Sequence, residues 1–365
     1  MTTLQGKERL TAKELFAITV LMIAVKIGDT TPSLLAQHGK NAFWLMAPIA
    51  FFTILPSYLL LMHLLKKYKD KNLVELIEHI LGKRAGKLVG LALFLITFFS
   101  MTIDTRNYVE EIKLLYFPEA TTSLVFIIFM GVCFFGAKKG FETIGSTAWV
   151  LFPYIKITFI LLVILILEEV VWQRVFPIWG TGLGQIVMEG MKKSSIFSQL
   201  IILTMAYTSL RKTSMFHKGA LFGALIVIVE ITFFFLLYCT MFDYNSIEKV
   251  AFPFHEITQY VNIGSFFTNI ETFFMIFWLL AAFIRFILYL YFTAWIFGAV
   301  FNIKEFEPLL LPFGYFVVIL GLMPKNAIQN ELLFRENYLD MITPFFLILP
   351  FLLWTTAKLR GEFKK

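Results

Sequence analysis

The run Lys26-Ile27-Gly28-Asp29-Thr30-Thr31-Pro32-Ser33 falls in the middle of the first long apolar segment and constrains the fold more than any other stretch. Glycine is poorly tolerated inside a helix. Proline is worse, because it lacks an N–H and its ring collides with the preceding turn. In hydrocarbon, backbone groups freed by such a break persist only where protein or a water-filled cavity satisfies them. The spacing predicts two half-helices, with Thr31 as N-cap of the second and Pro32 as its first residue. Unpaired carbonyls of the first half and N–H groups of the second then form a ligand site made of backbone. The alternative is a plain proline kink with a satisfied Asp29.

Of the 365 residues, 58% are hydrophobic, 17% aromatic and only 16% charged. Repeated apolar runs near the roughly 20 residues needed to cross a bilayer define a polytopic helical membrane protein. The net charge of +7 sits in short loops between those runs, so it marks topology rather than nucleic-acid binding. Cys133 and Cys239 lie in separate apolar segments and indicate neither a disulfide nor a metal site. The histidines, His38, His63, His79, His217 and His255, have no ligand spacing and read as surface or interfacial. No phosphate loop, Ser-His-Asp arrangement or paired-carboxylate motif is visible, so neither a cofactor nor an enzymatic role is expected. The polar start through Lys13 predicts an uncleaved first span.

Ten spans are expected in one integral membrane domain over residues 1–365: Ala12–His38, Ala42–Leu65, Leu88–Leu115, Ser123–Ala137, Thr143–Leu167, Gly184–Leu210, Gly219–Met241, Ile270–Val300, Pro308–Met323 and Met341–Ala357. A short amphipathic helix carrying Leu73, Leu76, Ile77 and Ile80 lies between the second and third. Lys7, Arg9 and Lys13, the 66–87 loop, Lys138 and Lys139, Arg211, Lys212 and Lys218, and the tail Lys358, Arg360, Lys364 and Lys365 fall on one side. Lys40, Lys113, Arg174, Lys249, Lys325 and Arg335 are scattered on the other. Both termini are therefore expected in the cytoplasm.

The sixth span is interrupted by Lys192, Lys193, Ser194, Ser195, Ser198 and Gln199. Broken first and sixth spans occupy corresponding places in two five-helix halves, about 12–167 and about 184–357. That pattern predicts a 5+5 inverted repeat whose broken helices meet at the bilayer midplane. A charge at the centre of a span costs about 2.5 to 3.5 kcal/mol on insertion scales and is normally turned inward and paired. Lys156, Glu230 and Arg285 sit near mid-depth; Lys26 and Asp29 flank the first break, and Asp104 and Arg106 lie in the outer half of span three. Structural pairs such as Glu230 with Arg285 or Lys26 with Asp29 are one reading. The other gives Lys156 a cation-like coupling role against span one. The expected ligand-binding set is Gly28, Asp29, Thr30, Thr31, Ser100, Phe197, Ser198, Gln199, Arg285 and Tyr289, with Arg285 and Tyr289 on one helix face. Helix N-termini near Thr31 and Gln199 suit a carboxylate, and Asp29 suits an ammonium, so an amino acid zwitterion fits better than a nucleoside.

Several stretches carry a family resemblance: the Thr11–Leu15 helix start, Gly28 and Pro32, Asn41–Trp44, Leu81-Gly82-Lys83, Phe252-Pro253-Phe254, Ile263-Gly264-Ser265-Phe266-Phe267, Ile270-Glu271-Thr272-Phe273-Phe274 and Trp278. On these the chain resembles the B subunits of spore germinant receptors, the spore germination permeases of the amino acid–polyamine–organocation superfamily. It departs from that pattern at Asp29-Thr30-Thr31, where small apolar residues are usual, and at Arg285. The resemblance implies a LeuT-like ten-helix inverted repeat in the inner membrane of a bacterial spore. It also implies an A subunit and a lipoprotein C subunit as partners, and sensing of a small nutrient as the role. A proton-coupled amino acid permease is the alternative.

Overall fold

The computed structural model describes residues 10–210, 212–261 and 270–364, all helix, turn and connection apart from an isolated bridge between Leu10 and Leu210. The Ile263–Phe267 block and the basic residues Lys7, Arg9, Arg211 and Lys365 lie outside the described residues. The helices are α1 (Ala12–Ala24), α2 (Thr31–Gly39), α3 (Phe43–Lys67), α4 (Leu73–Leu81), α5 (Lys83–Tyr116), α6 (Thr122–Ala137), α7 (Phe141–Ile166), α8 (Leu183–Lys192), α9 (Gln199–Ile202), α10 (Thr213–Met241), α11 (Tyr244–Ile247), α12 (Pro253–Gln259), α13 (Ile270–Phe301), α14 (Leu310–Gly321), α15 (Ala327–Gln329) and α16 (Glu336–Leu359). Among the described residues, six helical stretches are long and apolar enough to cross a membrane: Thr31–Lys67, Lys83–Tyr116, Phe141–Glu169, Thr213–Met241, Ile270–Phe301 and Leu333–Leu359. Two shorter apolar helices, Thr122–Ala137 and Glu307–Gly321, coincide with the expected fourth and ninth spans. The expected first and sixth spans are the interrupted ones.

Local chemistry sets several boundaries. Glu14 accepts from Thr11 N at 2.7 Å at the start of α1. Asn72 and Glu75 exchange hydrogen bonds of 2.8 and 3.0 Å at the start of the amphipathic α4, satisfying two donors that a helix start leaves free. The outer faces carry the apolar residues a bilayer requires: on α7, Val150, Tyr154, Ile157, Ile160 and Ile164 are all exposed.

The two halves repeat their packing. α1 lies against α10 and α7, and the α8 region lies against α3 and α16; α6 packs on α13 as α14 packs on α5, and α5 and α13 form the central pair. Exchanging first with sixth span, second with seventh and so on maps one set of contacts onto the other, as two copies of one unit require.

The first break differs from its expected form by one residue. α1 gives way to a tight turn over Val25–Ile27, and α2 starts at Thr31 with Thr30 as its cap residue. Asp29 Oδ1, not Thr31, supplies the capping acceptor, 2.7 Å from Thr31 N. The sixth span unwinds beyond the interruption expected at residues 192–199: tight turns at Ser194–Phe197 and Leu203–Ser209 bracket the single turn α9.

Candidate functional site

The freed carbonyls of the first break are satisfied from within the protein. Tyr108 OH donates to Val25 O at 3.0 Å and Tyr238 OH to Ile27 O at 2.8 Å. Tyr108 also stacks on Trp278, with centroids 5.3 Å apart and planes 6° from parallel. A Cβ on Gly28 would stand 2.5 Å from Trp278 Nε1, so glycine is needed here for space. Buried tyrosine hydroxyls thus serve these two carbonyls, of which Val25 O also accepts from Gly28 N at 3.0 Å; an unpaired carbonyl in a dry interior costs about 1 to 3 kcal/mol.

Side chains hold the centre of the molecule. The Arg285 guanidinium, fully buried on α13, reaches Asp29 Oδ2 at 3.4 Å and makes a close contact with Asp104 Oδ2 of α5. Arg335, from the turn before α16, bonds Asp29 Oδ2 at 3.3 Å, Asp104 Oδ1 at 3.4 Å and Glu331 Oε1 at 2.8 Å. The same guanidinium donates to Thr30 Oγ1 at 2.6 Å and Thr31 Oγ1 at 2.7 Å. Thr30 Oγ1 in turn donates to Glu331 Oε2 at 2.7 Å, and Asn107 and Asn330 close the network at 2.6 and 2.7 Å. Desolvating such charges is repaid only where every partner is in place.

The pairing of Arg285 with Glu230 is corrected by this geometry: Arg285 belongs to Asp29 and Asp104, and Glu230 on α10 makes a close ion pair with Lys156 on α7. Lys156 stands beside the first break, in a crevice with Leu21, Val25 and Gly28, but its ammonium is turned to Glu230. The pairing of Lys26 with Asp29 is corrected as well. Lys26 is 3% exposed, and no carboxylate among the described residues lies within 4 Å of its ammonium. Arg335, read from the sequence as a loop charge, is buried. His255 is buried too and bonds Tyr116 at 3.1 Å.

Lys26 faces a cavity of about 20 Å³ shared with Ser100, Asp104, Ser198, Gln199 and Tyr289. With Gln199 Nε2 on Ile196 O at 2.9 Å, its amide oxygen receives both Tyr289 OH and Lys26 Nζ, the latter at 3.1 Å. The space holds about one water, so the site is closed around itself. Of the expected set, Ser100, Ser198, Gln199 and Tyr289 line this cavity, and Asp29, Thr30, Thr31 and Arg285 are joined in the adjoining charge network. Gly28 lies on the far side against Trp278, and Phe197 packs edge-on against Phe51 at 5.4 Å, away from the cavity. Sequence reasoning missed Asn107, Asn330, Glu331 and Arg335 as members of the network. The signal lay in the four-residue spacing of Glu331 and Arg335, which extends the last helical segment ahead of Met341.

Comparison with known proteins fits this architecture. A family model described as spore germination protein matches residues 10–330. The chain belongs to the spore germination protein family. Relatives in Bacillus subtilis (strain 168) include putative spore germination protein YfkT, 23% identical over 80% of both chains, and spore germination protein A2, 22% identical over 81% of this chain and 80% of the relative. Spore germination protein YndE is 22% identical over 97% of this chain and 98% of its own. Two solved transporters share the fold with TM-scores of 0.64. One is a nucleobase-cation-symport-1 family transporter in a closed conformation with bromovinylhydantoin bound, 16% identical, matching 93% of this chain and 78% of its own. The other is a Na+-coupled sialic acid symporter in a substrate-bound outward-open state, 11% identical, matching 94% of this chain and 78% of its own. The protein is thus an all-α integral membrane protein of LeuT-like inverted-repeat fold, and its family and fold are those of permease-like proteins.

Proposed function

We propose that the protein is the germinant-sensing subunit of a spore germination receptor, binding a small amino acid at the cavity between the two broken segments. The observation that carries this reading is Lys26: a buried ammonium with no ion-pair partner among the described residues, beside the amide of Gln199 and turned into a polar cavity. A ligand carboxylate supplies the missing charge, and a charge-assisted hydrogen bond in that setting is among the stronger single interactions. The expected ammonium site moves from Asp29, whose Oδ1 caps Thr31 N, to Asp104, which also meets both arginines but lines the cavity. The Oδ1 of Asp104 is held only at 3.4 Å by Arg335 Nε. The ligand exceeds the closed cavity, so binding requires the two broken segments to separate, and occupancy then biases the bundle between states. This reading places the protein in the inner membrane of the spore with both termini cytoplasmic, beside an A subunit and a lipoprotein C subunit, without a catalytic step.

The test is a nutrient dose curve in spores carrying Lys26→Met, with receptor abundance checked by blot. The midpoint is expected to rise about ten- to hundredfold, the loss of one hydrogen bond to a charged group. An unchanged midpoint with reduced amplitude would assign Lys26 to folding and the ligand to another site. The permease reading draws support from the shared symporter fold, and it is distinguished by radiolabelled amino acid uptake into vesicles: accumulation inside favours it, binding without accumulation favours the receptor.

A further inference from the structure

A second site lies far from the charge network, on the outer surface where α1, α7 and α10 meet. These helices enclose an open groove of about 540 Å³ whose walls include Phe16, Trp149, Phe222 and Leu225, with Lys13 and Lys218 at its mouth. Phe222 is 60% exposed and Leu225 46%, so the walls face outward. Neither lysine makes an ion pair among the described residues. Glu14, the acid beside Lys13, is turned away toward Thr11 N at 2.7 Å and Ser146 Oγ at 2.9 Å. Lys13 Nζ instead lies 5.7 Å from the Trp149 ring.

Depth and charge specify the occupant. Lys13 stands in the first turn of α1, where the helix dipole adds positive potential, and Lys218 in the second turn of α10. From Lys218 to Leu225 the helix descends seven residues, roughly 10 Å, from the membrane boundary into the apolar zone. The same end of the bundle carries Lys138 and Lys139 just ahead of α7. An amphiphile with an anionic head and an apolar tail matches this gradient. A zwitterionic head sets its own cation against the two ammonium groups.

We propose that this groove binds one anionic phospholipid, its phosphate between Lys13 and Lys218 and one acyl chain along Phe16, Phe222 and Leu225. Basic recesses between membrane helices recognise anionic head groups in this way. The proposal is independent of the nutrient site.

Native mass spectrometry of the full-length protein in a nonionic detergent tests it. The titrants are phosphatidylglycerol, phosphatidylcholine with the same acyl chains, and glycerol 3-phosphate. The first phosphatidylglycerol is expected to bind about ten- to thirtyfold more tightly than phosphatidylcholine, with glycerol 3-phosphate binding far more weakly than either. Lys13→Gln with Lys218→Gln abolishes the preference; Lys138→Gln with Lys139→Gln, at the same end but outside the groove, retains it. Should the first double variant be poorly folded, the single exposed change Lys218→Gln is expected to lower the preference about three- to fivefold. Equal affinity for both lipids in the unaltered protein overturns the proposal, as does equal loss in the Lys138/Lys139 variant, which marks a general field effect. Tight glycerol 3-phosphate binding indicates a free-phosphate site and also overturns it. So does a benzophenone at Phe222 that crosslinks a polypeptide in membranes where no lipid preference exists.

Discussion

Lys26 and Lys156 flank the same break from opposite sides, and their surroundings could hardly differ more. Lys156 sits at the outer edge, with a side chain 18% exposed and, among the described residues, one ion-pair partner, Glu230. Lys26 sits inside, next to a lattice in which Asp29 and Asp104 are each shared between Arg285 and Arg335, and Arg335 also holds Glu331. An isolated pair is separable: remove both members and nothing else is left uncompensated. In the lattice Asp29 and Asp104 each serve two cations, so no single removal is local. The comparison teaches that depth in the membrane does not distinguish these two lysines; the number and kind of partners do.

The largest effect that would break the comparison is expected from Arg285→Met. Two buried carboxylates lose a partner, costing about 3 to 5 kcal/mol, read as a fall in membrane abundance and melting temperature. Adding Asp104→Asn is expected to leave much of the defect, because Asp29 remains short of charge; full recovery would mean that Arg285 and Asp104 are a simple pair after all. Next comes Gly28→Val, which drives a side chain into Trp278 and is expected to cost about 1 to 3 kcal/mol. Trp278→Phe, which vacates the indole edge that Gly28 approaches, should recover part of the loss in the double variant; no recovery would place the strain elsewhere.

On the outer side, Lys156→Met is expected to cost about 1 to 2 kcal/mol by stranding Glu230, and Lys156→Met with Glu230→Gln to restore abundance and nutrient response. If that double variant is abundant yet silent, Lys156 holds the coupling role and the distinction drawn here fails. The smallest effect belongs to Thr30→Ala, which removes a hydroxyl bridging Arg335 and Glu331 at about 1 kcal/mol. A thermal melt of the purified protein checks it, and a loss as large as that of Arg285→Met would mean that the threonine organises the lattice.

The same contrast explains what was readable in advance. Gly28 and Pro32 announced a break because their backbone chemistry is local, and Lys192 to Gln199 announced another because polar residues interrupt an apolar run. Arg335 reads as a loop charge because its helical segment begins among charges, Glu331, Arg335 and Glu336, ahead of the span expected from Met341. Lys26, Asp104, Ser100, Ser198, Gln199 and Tyr289 were each visible, but nothing in their spacing joins Lys26 to Gln199 or Asp104 to Arg335.

By itself, then, the sequence determined that the chain lives in a membrane, where its two interrupted segments lie, and which residues carry charge into the apolar zone. These follow from transfer free energies and backbone constraints acting over a few residues. Only the tertiary structure decided the partners: Asp29 with Arg285 and Arg335, Lys156 with Glu230, the tyrosines on the broken carbonyls, and Lys26 with Gln199 beside the cavity. Those choices join residues up to 306 positions apart, and each is fixed by how closely packed helices bring two side chains together, a quantity no local period encodes.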